Sequence, residues 1–124
     1  MKHVSRWFLR AAVCWVIVGM SLGIAMAASG DHRLHSLHAH INLLGWVTMA
    51  LFGLFLQVFP QAAASRQATW LFWWHNAALV VMTPALAALY LGVPEAEPFA
   101  ALSGFMLLGG MALFAMIVFR ATRA

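Results

Sequence analysis

Imidazole is the most concentrated chemistry in this chain. His32, His35, His38 and His40 fall within nine residues of the stretch DHRLHSLHAHINLLGW, residues 31–46. Neutral imidazole is a ligand for iron, copper and zinc. Successive helical residues turn by about 100°, so His38 and His40 sit about 200° apart on one helix. One ion does not easily take both, whereas two sites on opposite sides of the helix can. His35 and Asn42 lie within about 60° of His38. Gly45, two turns below His38, removes a side chain from that face, which suits either plain packing or the close approach of a flat macrocycle to the backbone. His32 and His35, in and beside the loop that carries Asp31, form an alternative pair for copper or zinc.

The element that follows these histidines is built for lipid. The 124 residues are 65% hydrophobic and 8% charged, against about a quarter charged in a soluble domain. A helix needs about 20 mostly apolar residues to cross a bilayer, and four segments qualify, roughly 7–28, 37–59, 68–91 and 99–119. Three of them hold no charge, and none has the alternation of a barrel strand, so the expected fold is all-α. Short connections predict antiparallel neighbours: one integral membrane domain, residues 1–124, arranged as a four-helix up-down bundle.

Charge sets the expected orientation. Lys2, Arg6, Arg10, Arg66, Arg120 and Arg123 fall at one end, while the other holds Arg33 with all three acids, Asp31, Glu95 and Glu97. Under the positive-inside rule both termini are cytoplasmic and the histidines face the opposite side, the periplasm in a bacterial inner (plasma) membrane. The basic start, the apolar run and Ala25-Met26-Ala27 also fit a cleaved signal. The run is longer than such signals usually are, and we expect it to be a span. Gly19-x-x-x-Gly23-x-x-x-Ala27 gives that span a small-residue face for helix contact.

Several function classes drop out. The basic residues form no stripe for nucleic acid. No carboxylate lies inside a span, so general acid–base chemistry has no pair there. Cys14, the single cysteine, has no disulfide partner and is expected to be a small buried hydrophobe. His75 lies beside Trp70, Trp73 and Trp74, which suggest an interfacial belt. It sits roughly 10 Å in from the cytoplasmic side at 1.5 Å per residue. That depth puts it more than about 10 Å from the histidine patch in a 30 Å core, too far to share one iron. A second axial ligand for His40 would come from the loop histidines, Met26, Met106 or another copy of the chain.

LHAHINLLGWVTMALFGLFLQVFP followed by ATWLFWWHNAALVVMTPALAALYLG resembles subunit I of the haem–copper oxidase superfamily, nearest to the C-type oxidases and nitric oxide reductases. His-x-His, Leu44-Gly45-Trp46, Gly53, Pro60 and Trp74-His75 carry the resemblance in order, over about half of the chain. It implies that His38 and His40 serve different haems on opposite faces of the helix. Members of that superfamily group twelve helices in three sets of four. This chain therefore resembles one set, which implies a homo-oligomer, with a trimer favoured and haem between copies. The adjacent His-His pair of the copper site is missing, and Tyr90 is the sole tyrosine, so a complete oxidase or reductase is not expected.

The leading expectation is thus a b-type haem protein, with or without copper, that transfers electrons or binds nitric oxide or oxygen. Its partners would be membrane lipid and further copies of itself, with no nucleic acid. Two other readings stay open: a copper- or zinc-binding membrane protein using His32 and His35, and a cofactor-free accessory subunit.

Overall fold

The computed structural model describes residues 3–123, so Lys2 lies outside the described residues. The chain runs α1 (His3–Ser29), α2 (His35–His40), a π-helical segment (Ile41–Val47), α3 (Thr48–Val58), α4 (Pro60–Ala63), α5 (Arg66–Tyr90), a 3₁₀ turn (Pro94–Ala96) and α6 (Glu97–Ala121). α2, the π segment and α3 are continuous and form the second long helix, His35–Val58. The four long helices expected from the sequence are present, and most of their ends depart from the expected bounds by no more than the fraying that any boundary shows.

Local chemistry explains the ends. α1 stops at Gly30, whose φ of 72° is a left-handed cap that glycine adopts without strain. Gly92 at φ 97° does the same after α5. Pro60 has no N–H to continue α3 and keeps Phe59 out of the helical region, at φ −116° and ψ 80°. Ser65 caps α5, its Oγ accepting from the Ala68 N–H at 3.3 Å. α5 continues through Pro84.

A seam of glycines joins α1 to the second long helix. The His38 ring lies over Gly23, Asn42 and Ile41 over Gly19, Trp15 over Gly45, and Phe8 with Leu9 over Gly53. The order runs backwards along one helix as it runs forwards along the other, as antiparallel packing requires. A Cβ at Gly23 would stand 2.8 Å from His38 Cε1, and one at Gly45 would stand 2.8 Å from Trp15 Cβ. Only glycine lets these backbones approach so closely.

Aromatic rings fill the centre. Phe52 meets Phe8 at 5.8 Å, His75 at 5.2 Å and Phe114 at 4.4 Å between centroids, which ties all four long helices to one point. The outer surface is equally apolar, with Ile24, Phe105, Leu108 and Phe119 all exposed. In the most apolar stretches of the first and fourth long helices only 17% of residues are buried. A soluble bundle hides such residues; this one turns them outward, and its four long helices are long and apolar enough to cross a membrane. Cys14 belongs to that surface: it is exposed, not the buried hydrophobe the sequence suggested, because the seam glycines and Trp15 turn their side of α1 inward.

Candidate functional site

The α2 segment places His38 and His40 as their spacing demands. His38 points to α1 and His40 points away from it. Each ring has one nitrogen against a carbonyl. His38 Nδ1 is 2.6 Å from Gly19 O and His40 Nδ1 is 2.7 Å from Ser36 O. A carbonyl only accepts, so in the neutral ring Nδ1 carries the proton and Nε2 the lone pair. A backbone carbonyl on Nδ1 is a common outer support of a metal-ligating histidine.

The lone pairs have different fates. His38 Nε2 accepts from Asn42 Nδ2 at 3.3 Å, so both His38 nitrogens are engaged inside the chain. Asn42 Oδ1 is buried without a hydrogen-bond partner, beside Gly19. The His40 ring is half-buried, and no partner among the described residues occupies its Nε2. Ser36, which supports His40, is itself held by Tyr90, whose hydroxyl donates to Ser36 Oγ at 3.1 Å. In the π segment that follows, Leu43 and Val47 are 60% and 42% exposed.

His32 and His35 are exposed, with Nδ1 against Gly30 O at 3.1 Å and His32 O at 2.9 Å respectively. Asp31 is taken by Arg33, which donates to both its oxygens and makes an ion pair at 2.8 Å. That guanidinium holds the Asp31 carboxyl down at about 2 and raises the Arg33 pKa in return. Among the described residues no group of three or more His, Cys, Asp or Glu is arranged to hold a metal ion. Two clefts of about 600 and 520 Å³ lie elsewhere, between the 59–67 turn and the end of α6 and beside Pro84, and no histidine lines either.

At Gly45 the structure shows the packing alternative, and His75 is more deeply placed than its tryptophan neighbours suggest. The space at Gly45 is filled by Trp15 of α1. His75 is 1% exposed, while its tryptophan neighbours face outward. Its Nε2–H donates to Leu44 O at 2.9 Å, so Nδ1 carries the lone pair, buried with no hydrogen-bond partner. Leu44 follows His40 by four residues, and its carbonyl projects towards the far end of the helix, where the His75 ring also meets Phe52 at 5.2 Å between centroids. Sequence reasoning missed the Ser36–Tyr90 support, since nothing in either residue marks a pairing across 54 positions. It noted the Gly19–Gly23 face without its occupant, His38. Comparison with protein-family models, curated proteins and solved structures finds no match to this chain.

Proposed function

We propose that this chain is a multi-pass membrane protein that binds b-type haem through His40, with both termini cytoplasmic and the histidine end on the opposite side. The observation that carries the reading is His40 itself. Its tautomer is set by the Ser36 carbonyl, its Nε2 lone pair has no partner among the described residues, and the segment that follows it exposes Leu43, Trp46 and Val47. That combination fits an axial ligand at the edge of a flat, apolar group. The resemblance of the second and third long helices to haem–copper oxidase subunit I supports the same assignment.

Neither of the two clefts described above reaches His40, and on this reading the group is covered by a second copy, with a trimer the oligomer the resemblance favours. Bound haem supplies one-electron iron chemistry or a site for a diatomic gas. The chain supplies the ligand, the Ser36–Tyr90 support that fixes its direction, and apolar helices that exclude water and tune the potential. His38 plays a different part, its ring bracing α1 through Gly19 and Gly23.

The test is an absorption spectrum of the detergent-purified protein, air-oxidised and then dithionite-reduced. A Soret band with sharp reduced α and β bands is expected, absent from His40→Ala and retained by His38→Ala. Loss in His38→Ala alone moves the ligand to His38, and a protein that stays colourless after haem is supplied during expression overturns the reading.

A second reading has its own support. Polar side chains bridge the long helices: His38 to Gly19 O, Trp15 Nε1 to Asn76 Oδ1 at 3.2 Å, His75 to Leu44 O, and Trp74 Nε1 to Met106 O at 2.6 Å. Such bonds hold a cofactor-free membrane scaffold equally well. That reading predicts that His40→Ala changes no spectrum and no assembly property.

A further inference from the structure

The second long helix changes its winding directly below the histidines. Ile41–Val47 is π-helical. An α-helical Thr48 N–H would reach Leu44 O; here it bonds Leu43 O, five residues back. Thr48 Oγ1 donates to the same carbonyl at 2.8 Å. The Leu44 carbonyl is thereby released, and the group that takes it is His75 Nε2–H at 2.9 Å. His75 is held edge-on to Phe52. Gly110 of α6 packs beside it, where a Cβ would stand in ordinary contact at 3.6 Å from His75 Nδ1.

A π turn accommodates one more residue than the α turn it replaces and is rare without a cause. Relaxing it to α, with α3 fixed, turns everything before it by about 100°. Each residue then takes the direction now held by the one before it. Ala39 would turn to the α1 side where His38 now lies, and His40 would take the direction of Ala39. We propose that His75 is the positioning residue that holds this π register, and so sets the sides to which His38 and His40 point. His75 touches neither ring; it acts through the released Leu44 carbonyl. The consequence for haem rests on the reading above, whereas the register itself does not.

The test reads the register without haem. In a Cys14→Ser background, a nitroxide is placed at Ala39→Cys, which is exposed. A second, reference nitroxide is placed at Leu54→Cys, exposed beyond the π segment. Oxygen accessibility is measured for the full chain in detergent. His75→Phe keeps a ring and removes the donor; the Ala39 label is expected to lose accessibility while the Leu54 label keeps it. His75→Gln, which restores an N–H, is expected to recover the Ala39 value. A His75→Phe protein that folds normally with both labels unchanged overturns the proposal.

Should His75→Phe not fold, deletion of Leu43 decides. The deletion removes the extra residue, so the histidine half keeps its present sides without help from His75. The deletion combined with His75→Phe is expected to fold with the Ala39 label exposed. A combined variant that still does not fold, or a deletion that buries the Ala39 label, overturns the proposal. In haem-loaded protein, His75→Phe is expected to shift the axial-ligand signature in the electron paramagnetic resonance spectrum. A colourless protein whose Ala39 label responds removes the haem reading and keeps the register. A coloured protein whose label does not respond does the reverse.

Discussion

His40, on the second long helix, and His75, on α5, are opposite tautomers. His40 has its Nδ1–H on the Ser36 carbonyl and its lone pair on the outward Nε2. His75 has its Nε2–H on the Leu44 carbonyl and its lone pair on Nδ1, buried without a partner. A carbonyl thus fixes each ring, and the side on which the carbonyl stands decides what the ring can do. Where it leaves the lone pair at an uncovered face, the histidine is equipped as a ligand. Where it faces the lone pair inward, the histidine joins helices. Residue type alone does not separate the two roles.

The largest expected effect breaks the comparison outright. His40→Ala should remove the Soret band completely, whereas His75→Gln, which keeps an N–H for the Leu44 carbonyl, should keep it; equal loss in both would erase the distinction between the two rings. Next comes the inward-facing ring of the patch. Gly23→Ala puts a methyl against His38, and overpacking of that kind costs about 1–3 kcal/mol. Denaturant titration of the detergent-solubilised protein should register it while the Soret band persists. A smaller effect is expected for Trp15→Phe, which removes the hydrogen bond to Asn76. Such bonds average about 0.6 kcal/mol in membrane bundles, readable in the same titration.

The smallest effect lies in the loop. The Arg33 pairing depresses the Asp31 pKa from the ordinary 3.8 to about 2. Its contribution to stability is therefore complete above pH 3.8 and fades as pH falls towards 2. Asp31→Asn should shift the melting temperature slightly at pH 7, where the pair is charged, and by less as the pH falls through that window. The pair is solvent-exposed, so even the neutral-pH shift should be close to the limit of measurement. A large shift would mean that the loop does more for the histidine end than its contacts indicate.

Much of the architecture was legible in the sequence. Long apolar runs, with Pro60 and Gly92 closing the second and third, mark the helices, because backbone groups in lipid must bond within their own segment. A spacing of two residues suffices to send His38 and His40 to opposite sides. The glycine pair on α1 announced a close contact. Its occupant was not legible, because side chains meeting across a seam come from positions with no fixed separation in sequence. The same limit hid Tyr90 behind Ser36 and Trp15 over Gly45.

The π segment marks the limit more sharply. INLLGWV carries an ordinary helical pattern, and nothing in it asks for wider winding. The extra residue per turn is compatible with the fold because Thr48 closes on Leu43 and His75 arrives from another helix to take the carbonyl left over. Composition, periodicity and charge by themselves determined that four apolar helices form, where each ends and that two histidines diverge. Tertiary packing alone decided which nitrogen of His38 and of His75 carries the proton, and that the Leu44 carbonyl meets a donor from another helix. Those depend on donors and acceptors brought together from distant parts of the chain, whereas the His40 proton is held within its own helix by Ser36.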